Sequence, residues 1–479
     1  MFVVSVLSAI IFTLLAISIT RTFTLRRKKA EKPLATALPH AEPAIEKLQR
    51  AITFRTVSSA EEGKTDWKQF TLLGAYLAEA FPLCETYLKQ ECDSPYNLIY
   101  RFEGEDQGAL PGLLTAHQDV VFANEEEWSH PPFAKTLEGG YVWGRGSFDC
   151  KLQLIAILEA FEQLLQEGKK PKRTWYAAFG CDEEVNGGDK GATLIAEQFQ
   201  RMGLSFSLLL DEGGVVSENY IKGIDRPIAV VGVAEKGYMD TLLSCRREAG
   251  HSSTPMMPTA LGKIAKAVSA IESSRQESRI TKPVEAMLKN IGEKAPFPFA
   301  FLFLNLWLTK PLIKLIFSRS PTLNALIRTT SVPTMIEGSD KSNVIAQTST
   351  AVVNTRLLGG DDQQSVLKHL KAVIADEEVS LTVRRYEEPS QASPTAGEAF
   401  DLLKVTISKV FPEAIVTSYL MLGATDARKY QQLCKNIYRF TPAQMDKTEV
   451  QRMHAPDERM HTDNVRKAVS FFATLIQSW

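Results

Sequence analysis

The strongest constraint on this chain is a set of apolar, β-rich runs that stop at a histidine or at acids. Leu113-Leu114-Thr115-Ala116 leads into His117-Gln118-Asp119, the run 174–180 into Cys181-Asp182-Glu183-Glu184, and the run 204–210 into Asp211-Glu212-Gly213-Gly214. Between the first two, Gly144-Arg145-Gly146-Ser147-Phe148-Asp149-Cys150 loosens the chain ahead of an amphipathic helix, LQLIAILEAFEQLLQEG. Short β-rich runs alternating with longer helical ones predict an α/β sheet with parallel strands. Ligands bind outside the carboxyl ends of such strands, so these clusters are expected to converge on one crevice.

Each cluster alone has a bland explanation. Asp149 just before a helix is the usual place of an N-cap, and three acids after a strand make an ordinary solvated turn. In one crevice, however, those acids repel one another and call for a cation. Imidazole mixed with hard oxygen donors and without thiolate suits Zn, Mn or Co. A second histidine is available near the C-terminus, in Met453-His454-Ala455-Pro456-Asp457-Glu458 or at His461.

Composition narrows the class further. The 479 residues carry 55 Lys plus Arg against 56 Asp plus Glu, a net charge of -1, and 44% are apolar. That balance fits a globular chain of two or three domains and gives no general affinity for nucleic acid. Six Cys, at 84, 92, 150, 181, 245 and 434, form no CxxC pair and no disulfide scaffold.

The first 20 residues read as a membrane anchor. Phe2 to Ile19 contains nothing more polar than Ser or Thr, enough to span a hydrocarbon core. Arg21, Arg26, Arg27, Lys28 and Lys29 follow it rather than precede it, which places the body on the cytoplasmic side by the positive-inside rule. None of the eleven Asn residues opens a glycosylation sequon, which points the same way. A cleaved signal peptide, with a secreted or lumenal body, is the alternative. Residues 21–44 read as a proline-bearing linker.

Taken in order, HQDVV, GRGSFDCK, DEEVNGG, LDEGG, GHSSTP and HAPDE resemble the M20 metallopeptidase family. Within it the chain is most similar to the carboxypeptidase S and PM20D1-like branch of N-acyl-amino-acid hydrolases. The resemblance implies two Zn²⁺, with Mn²⁺ or Co²⁺ as substitutes, bridged by Asp149. It gives His117 and Asp211 to one ion and Glu184 and His454 to the other, with Glu212 as the alternative to Asp211. Glu183 becomes the general base and Asp119 the partner that orients His117. A cis Asp149–Cys150 peptide is implied as well. His461 is expected to cap the final helix or lie on the surface.

From about Glu235 the pattern changes to long alternating strands and two helices, in the order βαββαβ of a ferredoxin-like fold. The expected fold is therefore an α/β mixed-sheet catalytic domain, residues 45–234 and 389–479, with an inserted α+β lid at 235–388. By resemblance, His251 stabilises the oxyanion when the lid closes, and Asn343 and Arg356 hold a substrate carboxylate. A homodimer through the lid is implied too. Within the insert, 296–317 is strongly apolar but broken by Pro298, Asn305 and Pro311. It reads as a buried lid helix, an interfacial segment, or an acyl channel lined by Phe299, Phe301, Phe303, Leu306 and Trp307.

The expected function is metal-dependent hydrolysis of the amide bond next to a free carboxylate, in N-acyl amino acids or at peptide C-termini. A dipeptidase, or a tethered pseudoenzyme that binds such ligands without turnover, is the alternative.

Overall fold

The apolar runs of the first half lie in the middle of a sheet because both their faces are covered. Gly112–His117 and Trp175–Gly180 are buried at every position, the pattern of parallel strands sandwiched between helices. The structure, a computed structural model, describes residues 2–26, 41–185 and 188–479. Arg27, Lys28, Lys29, most of the expected linker, and Asn186-Gly187 lie outside the described residues.

Among the described residues the main sheet has eight strands, in the order Lys89–Gln90, Leu98–Phe102, Trp175–Gly180, Gly112–His117, Leu208–Ser217, Ile437–Met445, Ile228–Glu235 and Ile415–Met421. Gly112–His117 runs parallel to both Trp175–Gly180 and Leu208–Ser217, with His117 opposite Gly180 and Leu114 opposite Leu210. The strand ends therefore lie side by side. Alternation sorts side chains between the two faces. Leu114, Ala177 and Leu210 join a core with helices Glu42–Ile52, Lys151–Gln166 and Thr462–Ser478. Leu113, Tyr176 and Leu209 face Ile195, Phe199, Ala427 and Tyr430.

The inserted unit is ferredoxin-like. Its four strands lie in the order Thr330–Glu337, Thr348–Leu357, Gly237–Arg246, Ser380–Glu387, antiparallel throughout. Gly237–Arg246 alternates buried and half-buried positions almost without a break, because helices Ala260–Ser273 and Gln363–Ile374 cover one face.

The apolar insert departs from expectation. Helices Lys282–Lys294, Phe297–Leu304 and Leu306–Phe317 leave the lid sheet. Their buried residues Val284, Leu288, Ile291, Phe303, Ile313 and Phe317 form a core with Ile228 and Ile415 on the last two strands of the main sheet. A buried lid helix is thereby replaced by a helical cap on the catalytic sheet. The five expected channel residues do not share one environment: Phe303 is buried in this core and Trp307 is half exposed.

The N-terminal helix, Phe2–Arg26, runs past its expected end at residue 20, and Ser8–Arg26 is long and apolar enough to cross a membrane. At the far end of the expected linker, Glu42 already opens the next helix.

Candidate metal centre

Asp149 is held between two histidines. His117 Nε2 lies 2.9 Å from its Oδ1, and His454 Nε2 lies 3.0 Å from its Oδ2. Glu212 reaches His117 at 3.4 Å, and Glu184 reaches His454 at 3.1 Å. The donor atoms of His117, Asp149 and Glu212 lie within 4.8 Å of one another, as do those of Asp149, Glu184 and His454. Glu183 forms a third such group with His117 and Glu184.

Local folding explains how the acids come together. Asp149 makes no capping bond to the helix Lys151–Gln166, whose N-cap is Cys150, and the Asp149–Cys150 peptide is cis. Glu458, fully buried, accepts from the backbone N–H groups of Gly146, Phe148 and Asp149 and from Arg145 Nη1 at 2.6 Å. One carboxylate thus ties the loop before the helix to the C-terminal motif. Asp119 does similar work on the other side. Its backbone carbonyl lies 2.9 Å from His117 Nδ1, and its carboxylate accepts from the N–H groups of Glu183 and Glu184 and from Ser58 Oγ.

Two expectations need correction. Asp211 does not join the group: its Oδ2 accepts from Ala427 N at 2.8 Å, on the face of Leu209, Ala427 and Tyr430. Its neighbour Glu212 points the other way, as alternation requires, and meets His117. The strand also does not stop at Leu210 but runs on to Ser217. Of the three consecutive acids, Asp182 turns aside, accepting from Lys190 N and Gly191 N at 2.7 Å each. Only Glu183 and Glu184 face the group. His461 caps the last helix, accepting from Asp463 N.

The lid residues lie elsewhere. His251 is exposed on a two-stranded ribbon with Val344, bonds Ser253 Oγ, and shares no hydrogen bond or ion pair with the acids among the described residues. Asn343 joins it there, its carbonyl accepting from Ser252 N. Arg356 is separate, stacked over the Tyr238 ring at 4.7 Å.

Electrostatics show that the group is short of positive charge. Burial pushes Glu183 well above the ordinary carboxyl range, and Glu212, Asp426 and Glu184 add to it against His117. Burial pushes Glu212 well up too, with Asp149 adding. Burial acts on Asp149 in the same sense, but hydrogen bonds from His117 and His454 outweigh it and hold that carboxyl down. His454 is pushed up to about 10 by its hydrogen bonds to Asp149 and Glu184. Buried carboxylates outnumbering two imidazoles form a donor set that fits metal ions. Asp426, half-buried on the loop after Ile415–Met421, is pushed well up by desolvation and by Asp211. Cys150, adjacent to Asp149, is engaged with the backbone of His117 through its sulfur.

Residues 113–478, which contain every one of these donors, match peptidase family M20/M25/M40. The chain belongs to this family. As an M20 protein it is a metal-dependent hydrolase of amide bonds. It is 37% identical to a probable carboxypeptidase S-like 2 of Dictyostelium discoideum over 90% of this chain and 84% of that one. To the N-fatty-acyl-amino acid synthase/hydrolase PM20D1 of Xenopus tropicalis it is 36% identical, over 97% and 92%. In fold it is similar to an M20 family metallo-carboxypeptidase from Sulfolobus solfataricus, with a TM-score of 0.67 at 16% identity, covering 91% of this chain and 98% of that one.

Proposed function

We propose that the protein is a di-zinc amidohydrolase that cleaves the amide bond next to a free α-carboxylate, in N-acyl amino acids or at peptide C-termini, with Mn²⁺ or Co²⁺ as substitutes. The observation that carries this reading is the division of Asp149 between His117 and His454, one carboxylate oxygen to each. One ion would be held by His117, Asp149 and Glu212, the other by Asp149, Glu184 and His454. Bound there, they would supply positive charge that acidifies a water and polarises the scissile carbonyl.

The chain's own groups do the rest. Glu183 stands beside His117 and Glu184 without a place in either ligand set. It takes a proton from the attacking water and hands it to the leaving nitrogen. Asp119 fixes the ring of His117 and the turn that carries Glu183 and Glu184. Closure of the lid, residues 235–388, would bring the exposed His251 to the oxyanion, within the subunit or across a dimer. Arg356 and Asn343 would hold the substrate carboxylate, for which a guanidinium has the right fork. The lid sheet ends on the edge strand Thr330–Glu337, where Val332, Met335 and Ile336 are exposed. An apolar edge of that kind supports a homodimer through the lid.

Relatives named N-fatty-acyl-amino acid synthase/hydrolase and carboxypeptidase S support the substrate class. The N-terminal helix serves as a single-pass anchor with the body on the cytoplasmic side, a cleaved leader with a secreted or lumenal body being the alternative. Metal analysis of the full chain, followed by hydrolysis of parallel panels of N-acyl amino acids and dipeptides, tests the reading. A folded protein that binds the metals and turns over neither panel would refute it.

A further inference from the structure

The second helix of the apolar insert is greasy on the side it does not bury. In Leu306–Phe317, the positions Thr309, Ile313 and Phe317 are buried, whereas Trp307, Leu312, Leu315 and Ile316 are 42–55% exposed. A surface helix in water places polar residues on its outward arc. Here the one hydroxyl, Thr309, is turned inward, donating to Leu302 O. Lys310 and Lys314 are the helix's charged residues.

What adjoins this arc identifies its cover. The N-terminal helix is seated on the insert: the Phe23 and Phe297 rings are 5.4 Å apart, and Asn305, fully buried, donates to Thr22 Oγ1 and Ser18 O. That contact uses the last third of the N-terminal helix, beside Arg21 and Arg26. Along the same helix Thr13, Thr22 and Thr24 return their hydroxyl protons to the carbonyls of Ala9, Ser18 and Thr20, so these donors are satisfied internally, as hydrocarbon demands. Ile17, Ile19 and Phe23 on that helix are exposed, as are Phe297, which Phe23 meets, and Trp307, two residues beyond Asn305. The insert thus meets the spanning helix at the level of its basic end, where Trp is favoured and lysine can reach back to water. Phe297–Leu304 and Leu306–Phe317 bend by 108°, and each alone is too short to cross.

We infer that residues 297–317 form a second membrane contact, lying in the interface of a phospholipid bilayer beside the N-terminal helix. This rests on the reading of that helix as an anchor, and the test separates the two. The full chain is reconstituted into phosphatidylcholine vesicles, with and without brominated acyl chains, and carbonate extraction and tryptophan emission are both read. Expected is carbonate-resistant association, with bromine quenching that is largely lost in Trp307→Phe. A photoactivatable phosphatidylcholine should also label residues 305–319 of the unaltered protein, a readout that needs no variant. Resistant association without Trp307-dependent quenching or labelling would overturn the inference while leaving the anchor intact, a second protein copy then being the cover. Loss of carbonate resistance would remove the anchor. Quenching that persisted in that event would still place the insert on lipid, and its absence would overturn the inference as well.

Discussion

Glu458 accepts the backbone N–H of Asp149 at 3.1 Å although 309 residues separate them. The same carboxylate is the ion-pair partner of the buried Arg145. Removing it leaves a buried guanidinium unpaired and three loop amides without their acceptor. Glu458→Ala should therefore cost about 3–5 kcal/mol in denaturant unfolding and release metal from the folded fraction, with Glu458→Gln milder in both. Unchanged stability and metal content in Glu458→Ala would mean that the loop holds its shape without this clamp.

Adjacent acids on one strand should behave oppositely. Glu212→Gln is expected to lose about one equivalent of metal, because its carboxylate is the one that meets His117. Asp211→Asn should keep both ions and instead loosen the loop 423–428, which Asp211 anchors through Ala427 N. Metal analysis of the two variants decides the matter, and the reverse pattern would restore Asp211 as the ligand.

For Glu183→Gln, turnover should fall by about 10²–10⁴ with metal content unchanged. Glu184→Gln should lose both metal and turnover, since Glu184 bonds His454 directly. Equal metal loss in the two variants would exchange their roles.

Metal uptake should release protons. In the metal-free protein His454 keeps its proton up to about 10, and an ion can take the Nε2 lone pair only after that proton leaves. Below that pKa the proton competes, so affinity falls as pH falls, by about tenfold per unit for each proton displaced. Calorimetric zinc titrations in two buffers of different ionisation enthalpy should give different apparent heats at neutral pH. Identical heats would show that His454 enters the site already neutral.

Much of the site could be read in the sequence because strand ends announce themselves. His117, Glu183 and Glu184 each follow an apolar run that the sheet buries completely, and His454 heads a compact motif. The choice between Asp211 and Glu212 could not be read that way. It depends on which face each side chain takes, and the strand runs on to Ser217 instead of ending where apolarity stops. Glu458 sat in a recognised motif without a role, because its partners are backbone amides that leave no trace in residue type. The lid's order of strands and helices was legible from period alone. The packing of 282–317 was not, since its apolarity is equally satisfied by a lid, a catalytic sheet edge or a membrane.

The 309-residue reach between Asp149 and Glu458 also sets the order in which the protein can mature. Chains emerge N-terminus first, so the hydrophobic first helix is available for membrane engagement while His454 and Glu458, in the last 26 residues, are still unmade. Until then His117 and Asp149 have neither the second imidazole nor the clamp. The centre can therefore be completed only after the last 26 residues have been made, so any metal it takes up is bound at the end of synthesis and not along the way.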